Sequence, residues 1–304
     1  MLLLRAPLLP LEITAELRQR FDVRDEADLG PDAEKVVAVA TKGDIGLPGD
    51  KMAGLPNLKM IAVYGVGFDQ IDLEQAKTRG IAVATTPGVL TDAVAEHAVA
   101  LMLAAVRRVV EGDALVRSGA WAHKKLDLSS SLGGRVLGIL GYGRIGRRIA
   151  EYACGFGMRV IYSDLAPAPG EEEAYRASPV ALAEDADVMV IAAAGGPGTD
   201  GLVNAQVIHA LGPSGLLVNV ARGSIVDEAD LIKALKEGAL GGAALDVFQD
   251  EPTPRAEFAA LPNVVLTPHI SSATVDARLA MGRLVIDNLA AFYNGQPLLT
   301  PLDF

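Results

Sequence analysis

Cysteine is almost missing from this chain: Cys154 is the only one in 304 residues. One thiol closes no disulfide within the chain and builds no cysteine-rich metal site, and this usage fits a reducing, cytoplasmic compartment. The four histidines, His97, His123, His209 and His269, show no metal-ligand spacing. Positive charge is scarce, with 27 Lys and Arg against 38 Asp and Glu and a net charge of −11. That balance argues against a nucleic-acid surface, which needs clustered cations to neutralise phosphates. It leaves room for a small anionic ligand, since one local arginine can act inside an acidic protein. Long hydrophobic runs are missing as well. None approaches the roughly 20 residues of a membrane span. The apolar start, Met1 to Pro10, is interrupted by prolines and has no basic leader, so it reads as a first buried strand and not as a signal peptide.

What the chain has in quantity is apolar residues, 50%, and glycine, 32 positions, with only 21% charged residues. Disorder is excluded by that composition, and the length allows a core divided between two domains. The most informative glycines lie mid-chain. The apolar run Val136-Leu137-Gly138-Ile139-Leu140 leads into Gly141-Tyr142-Gly143-Arg144-Ile145-Gly146, and the amphipathic Arg147-Arg148-Ile149-Ala150-Glu151-Tyr152 follows. This is strand, G-x-G-x-x-G turn and helix, the arrangement that receives a dinucleotide diphosphate. Gly141 permits the tight turn, Gly143 lets backbone approach the pyrophosphate, and Gly146 lets helix and strand pack closely. The helix N-terminus offers N–H groups and partial positive charge to the anion. The spacing alone also fits a glycine-rich turn in an ordinary crossover. A second apolar run, Met158 to Ser163, ends at Asp164, where an acid receives the hydroxyls of the adenine ribose.

The rhythm around this motif is regular. Strands are expected at 135–140, 158–163, 187–193, 215–220, 242–247 and 263–267, with helical patterns between them. One is Asp227 to Lys236, closed by Gly238. Six such strands make a doubly wound parallel sheet. Before it, Val36–Ala40, Met60–Tyr64 and Ile81–Ala84 read as buried strands, with a short helix over 72–79 closed by Gly80, which is a small parallel α/β unit in its own right. An all-round apolar helix from Thr91 to Ala105 is expected to cross between the two bodies. A helix over about 274–293, followed by a tail from Pro297 to Phe304, is expected to return to the first. The cleft between such bodies is where a ligand would bind.

Working residues of a parallel sheet collect at the carboxyl ends of its strands. Three expected ends here lead into ionisable groups: Arg222, Glu251 and His269. The set suits reversible hydride transfer between a hydroxyl carbon and a carbonyl. Histidine supplies or removes the oxygen's proton near neutral pH. A carboxylate favours its charged form and fixes its tautomer. Arginine grips a carboxylate or carbonyl in a planar fork. His269 is read as acid/base, Glu251 as its partner and Arg222 as the substrate clamp. His97 and His209 read as structural, and His123, beside Trp121, as near a cleft or a subunit contact. After Tyr64 the small residues Gly65-Val66-Gly67 would expose N–H groups, a nest for a substrate carboxylate or an ordinary tight turn.

With these pieces assembled, the chain resembles the D-isomer-specific 2-hydroxyacid dehydrogenases. The resemblance is carried by Tyr64–Asp72, Thr91–His97, Gly141–Gly146, Val218–Asp227, Ala244–Phe248 with Glu251-Pro252, and Thr267–Ile270. It implies an α/β fold in which a doubly wound Rossmann cofactor domain, 99–283, is inserted in a smaller flavodoxin-like α/β substrate domain, 1–98 with 284–304, without an appended regulatory domain. It implies the roles given to Arg222, Glu251 and His269. It also implies that Val66 and Gly67 amides hold the substrate carboxylate, with Tyr64 beside them, and that Asp246 contacts the nicotinamide amide. The remaining cofactor-binding residues expected with it are Gly141, Gly143, Arg144, Ile145, Gly146, Asp164, Thr199, Val220, Ala221, Ser271 and Thr91. The run Ala192–Thr199 resembles the glyoxylate and hydroxypyruvate reductase branch, which makes a small 2-oxo acid the expected substrate and a homodimer the expected assembly. Asp164 points to NAD in preference to NADP, because its charge would repel a 2′-phosphate and no Arg follows closely; NADP remains possible. Two other readings share the fold: an NADH-sensing corepressor-like binding protein, and a dehydrogenase for another small anion such as phosphite.

Overall fold

A computed structural model describes residues 1–8 and 10–303. Leu9, inside the N-terminal stretch read above as strand, and Phe304, at the end of the expected tail, lie outside the described residues. The chain begins β1 (Leu2–Leu4), α1 (Leu11–Arg20), β2 (Val23–Asp25), β3 (Ala38–Lys42), α2 (Gly49–Ala53), β4 (Met60–Tyr64), α3 (Leu73–Thr78) and β5 (Ala82–Ala84). The five strands form one sheet in the order β2-β1-β3-β4-β5, parallel throughout. That is the flavodoxin-like order. β3 and β4 are buried on both faces, which explains their unbroken apolar runs. Asp72 caps α3 by accepting from the Gln75 N–H at 2.8 Å. β2 has no apolar run and is only half-buried, so nothing in its composition announces an edge strand.

The chain continues through α4 (Thr91–Val106), α5 (Val109–Arg117), β6 (Val136–Leu140), α6 (Arg144–Gly155), β7 (Arg159–Ser163), α7 (Pro179–Glu184) and β8 (Val188–Ile191). After these come α8 (Ala205–Leu211), β9 (Leu216–Asn219), α9 (Glu228–Glu237), β10 (Gly242–Leu245), β11 (Val264–Leu266) and α10 (Val275–Tyr293). The second sheet runs β11-β10-β9-β8-β6-β7, again parallel. All six strands lie within the expected spans. One further position extends the sheet: Tyr175 makes an isolated parallel bridge to Tyr162 on β7. Counting it, the strand order is that of a doubly wound dinucleotide-binding sheet, reversing between β6 and β8, and the glycine turn follows β6 at that reversal.

The chain divides into two compact units, Met1–Leu90 with Ala273–Phe304, and Thr91–Ser272. The first has a core including Leu3, Val39, Met52, Ile61, Val63 and Val83. The second includes Leu140, Ile161, Met189, Ile191, Leu217, Leu245 and Phe258. Each such side chain contributes about 1.5–3 kcal/mol when fully buried. α10 packs on β4 and α1 within the first unit, and the tail follows it there, with Leu302 donating to Val83 O at 2.8 Å. In the second unit Asp92, at the start of α4, pairs with Arg148 of α6 at 2.7 Å.

Candidate active site

Strands β9, β10 and β11 are neighbours in the second sheet, and each is followed by one of the three ionisable residues. His269 Nδ1 lies 2.7 Å from Glu251 Oε2. The other Glu251 oxygen accepts from the Phe248 N–H at 3.0 Å. The Glu251 bond is the main force holding the His269 imidazole above its ordinary pKa of 6.5, against burial and the positive charge of Arg222. Burial pushes the Glu251 carboxyl up, but its bonds from His269 and Phe248 and the charges of His269 and Arg222 outweigh that and hold it below the usual carboxylate value. Arg222 thus acts electrostatically on both partners. The Glu251 contact favours the imidazolium, and Nε2 is the ring nitrogen not bound to Glu251.

The backbone at His269 is unusual, with φ +52° in a non-glycine residue. That left-handed conformation costs on the order of 1 kcal/mol and persists only where surroundings enforce it. The enforcement comes from Asp246, whose side chain is 0% exposed. One carboxylate oxygen accepts from the Thr267 hydroxyl at 2.6 Å and the Ile270 N–H at 2.9 Å. The other accepts from the Ser271 N–H at 2.8 Å. The Asp246 carbonyl accepts from the His269 N–H at 2.8 Å. Burial pushes the Asp246 carboxyl up, while bonds from His97, Thr267 and the two amides hold it down. His97, on α4, places Nε2 3.0 Å from Thr267 Oγ1 and 3.3 Å from Asp246 Oδ1. It therefore supports the loop that carries His269, a role its apolar helix did not disclose. His209 is exposed and bonds within its own helix, with Nδ1 2.6 Å from Ala205 O, and His123 is exposed.

Two further supports went unread in the sequence. Asn219, 1% exposed, ends β9; its amide donates to Arg222 O at 2.8 Å and its side-chain oxygen accepts from the Ala221 N–H at 3.0 Å. It shapes the turn through Val220 and Ala221 that presents Arg222. Gly195, in the loop after β8, lies flush against the Arg222 stem: a Cβ there would stand 2.6 Å from Arg222 Cγ. Thr199 closes the same loop, donating to Ala194 O at 2.8 Å.

The glycine turn fits a dinucleotide. Gly141 turns at φ +94°, and a Cβ on it would meet Ala193 N at 2.4 Å. A Cβ on Gly146 would meet Gly141 O at 2.2 Å, so the helix and the turn touch. A Cβ on Gly143, by contrast, would enter open space, the room a pyrophosphate needs beside the backbone. Arg144 and Ile145 open α6, whose first turn holds no acid to oppose an anion. Asp164 stands at the end of β7, one oxygen accepting from the Tyr142 N–H at 2.7 Å and the other from the Leu165 N–H at 2.7 Å. Thr91 is the first residue of α4, and Ser271 is buried against Asp246. Among the described residues no cluster of three His, Cys, Asp or Glu is placed to hold a metal.

In the first unit Tyr64 is buried and donates its hydroxyl to Arg278 O at 2.9 Å. Gly65, at φ +143°, follows it and is pinned by Thr86, which donates an N–H to Gly65 O at 2.8 Å. The next two amides, Val66 and Gly67, have no acceptor among the described residues, as an anion nest requires.

A doubly wound sheet with a dinucleotide turn, and an Arg, Glu and His at three adjacent strand ends, defines a nicotinamide-dependent oxidoreductase. Residues 99–271 match the family described as D-isomer specific 2-hydroxyacid dehydrogenase, NAD binding domain. The chain belongs to the D-isomer-specific 2-hydroxyacid dehydrogenase family, in its glyoxylate reductase branch, and uses NAD(P). It is similar to a 2-ketogluconate reductase of Gluconobacter oxydans, 44% identical over 270 residues, covering 89% of this chain and 87% of that one. Among solved structures it is similar to a 2-hydroxyacid dehydrogenase from Ketogulonicigenium vulgare Y25, with 41% identity and a TM-score of 0.91 over 100% of this chain and 98% of that one. Another is an NADPH-dependent glyoxylate/hydroxypyruvate reductase from Sinorhizobium meliloti in complex with NADP and malonate, with 38% identity and a TM-score of 0.94 over 99% and 96%.

Proposed function

We propose that this dehydrogenase reduces a small 2-oxo acid of the glyoxylate or hydroxypyruvate type to its D-2-hydroxy acid, with NADH preferred over NADPH. The observation that carries the chemistry is the 2.7 Å contact of His269 with Glu251 under the charge of Arg222. When bound, the reduced nicotinamide supplies the hydride. His269 gives the proton on Nε2 to the oxygen that becomes the hydroxyl, and Glu251 stabilises the imidazolium before that step. Arg222 holds the substrate carboxylate or carbonyl oxygen in its fork. The Val66 and Gly67 amides of the substrate domain take the carboxylate. Asp246 contributes by holding the His269 loop, its side chain enclosed by four donors, and the ribose hydroxyls bind Asp164. The reductases among the relatives do not favour the corepressor or phosphite readings.

The pH dependence follows from the pair. Reduction needs the protonated ring, and Glu251 raises the pKa, so the rate holds above pH 6.5 and falls as pH rises through the raised value. Glu251→Gln removes the largest stabiliser of the imidazolium. The alkaline limb of kcat/KM for reduction will therefore move to lower pH; an unmoved limb would show that another group is the acid.

The substrate and cofactor are tested together by following reduced-nicotinamide absorbance with glyoxylate, hydroxypyruvate, pyruvate, phenylpyruvate and 2-ketogluconate, each with NADH and NADPH. The expected result is the highest kcat/KM with a two- or three-carbon acid and NADH; a bulky acid or NADPH at the top refutes that part of the reading. The protein is inferred to act as a homodimer in the cytoplasm. Val109, Val110, Val116, Trp121 and Leu128 are exposed apolar residues clustered around α5, a face for a second copy, and light scattering at the mass of one chain would exclude it. No helix among the described residues is long and apolar enough to cross a membrane.

A further inference from the structure

We propose that Glu171 is a second determinant of cofactor choice, acting with Asp164 by pairing with Arg147 beside the glycine turn; this rests on the NADH preference inferred above. Tyr142, the second residue of the turn, joins the two carboxylates. Its N–H is bound by Asp164 at 2.7 Å and its hydroxyl donates to Glu171 Oε2 at 2.7 Å. Arg147, in the first turns of α6, stacks over the Tyr142 ring with its guanidinium carbon 4.5 Å from the centroid, and its Nη1 donates to Glu171 Oε1. Tyr142 is itself stacked on the buried Tyr162 at 4.0 Å. The position of Glu171 is fixed independently of Arg147. The Tyr162 hydroxyl donates to Glu171 O at 3.2 Å and accepts from the Ala168 N–H at 2.7 Å. The loop leaving Asp164 is thereby tied to Tyr162 at Ala168 and at Glu171 itself.

A 2′-phosphate needs a cation where NAD carries a hydroxyl. Arg147 carries such a charge, but Glu171 pairs with it, and the two carboxylates, Asp164 on the Tyr142 N–H and Glu171 on its hydroxyl, flank the same residue of the turn. Arg176, further along the loop, is paired with Asp185 at 2.5 Å. The Arg147–Glu171 pair is about two-fifths exposed on both sides, so Coulomb attraction alone would hold it weakly. The hydroxyl of Tyr142 keeps the carboxylate in place even when Arg147 swings away, so a phosphate that captured Arg147 would still face Glu171. Tyr142 bonding is also the first cause, ahead of Arg147, that holds the Glu171 carboxyl below its usual value, which keeps it ionised.

The test measures binding to the full chain by calorimetry with two adenosine probes, ADP and adenosine 2′,5′-bisphosphate, neither of which can react. Glu171→Gln keeps one acceptor oxygen for the Tyr142 hydroxyl and removes the charge together with the acceptor that faces Arg147. It should tighten adenosine 2′,5′-bisphosphate roughly fivefold, the size expected for one surface charge, and leave ADP unchanged. Adding Arg147→Met to that variant should abolish the gain, which separates Arg147 from Arg144 on the same turn. Both probes weakening together in Glu171→Gln would mean the residue merely braces the loop, and would overturn the proposal. So would a gain that survives Arg147→Met. A wild-type protein that already favours the 2′-phosphorylated probe overturns the NADH reading and Glu171 with it; a wild-type preference for ADP with no response to Glu171→Gln overturns the role of Glu171 alone.

Discussion

Replacing His269 with Asn will lower kcat for 2-oxo acid reduction by at least ~100-fold, the usual contribution of a positioned acid, with cofactor affinity unchanged. Asn is the informative choice because the residue sits at φ +52°, where Asn is among the side chains that tolerate a left-handed backbone. A longer or branched residue would disturb the Asp246-bound loop and confuse a lost proton with a lost fold. The expected loss has two parts. The carbonyl oxygen, whose carbon receives the hydride, has no acid within reach, and the Glu251 carboxylate, no longer facing an imidazolium, repels the developing negative charge. Both act on the transition state, so kcat and kcat/KM fall together. Steady-state rates with NADH at pH 6 and a thermal melt decide it. A folded variant retaining wild-type turnover ends the assignment of His269.

The second large effect falls on Arg222. Arg222→Lys keeps the charge but loses the fork, and a charged hydrogen bond of this kind is worth about 1.5–3 kcal/mol. The expected cost is roughly 10- to 150-fold in kcat/KM. Its position is set by two neighbours that do not touch substrate: Asn219 holds the turn from below, and Gly195 lies against the side chain's stem. Gly195→Ala forces a Cβ to 2.6 Å from Arg222 Cγ, and the arginine has to yield. A displacement of about 1 Å at such a group costs up to ~100-fold, so Gly195→Ala should reproduce much of the Arg222→Lys defect while leaving cofactor binding intact. Unchanged kcat/KM in both variants would remove Arg222 from the substrate.

Much of this was readable in one dimension because parallel strands and glycine turns leave local marks. The apolar runs of β6, β8, β9 and β10 are buried on both faces, so the signal needs no partner to be seen. The turn at Gly141 is legible for a similar reason, since Gly141 answers a local torsion and Gly146 a contact with Gly141 five residues earlier. β2 and the Tyr175 bridge were not legible. They are short sheet edges of polar or mixed residues, held by register with a neighbour and not by their own composition. His97 reads as structural in sequence because it lies on an apolar helix. Only packing of α4 against β10 and β11 sets it beside Asp246 and Thr267. Gly195 is one glycine of 32 until the Arg222 stem is seen against it.

The chain alone determined the six strands of the second sheet, the dinucleotide turn and the three residue types that serve acid–base and anion chemistry, because these follow from periodicity and side-chain chemistry. The tertiary structure alone decided that β9, β10 and β11 stand side by side, bringing residues 222, 251 and 269 within electrostatic reach of one another. It alone decided that a buried Asp246 bends the backbone at His269 and that Glu171 reaches back to Tyr142 and Arg147. Such contacts join positions tens of residues apart, and the balance of desolvation, hydrogen bonding and charge that tunes each group is a property of what surrounds it in space.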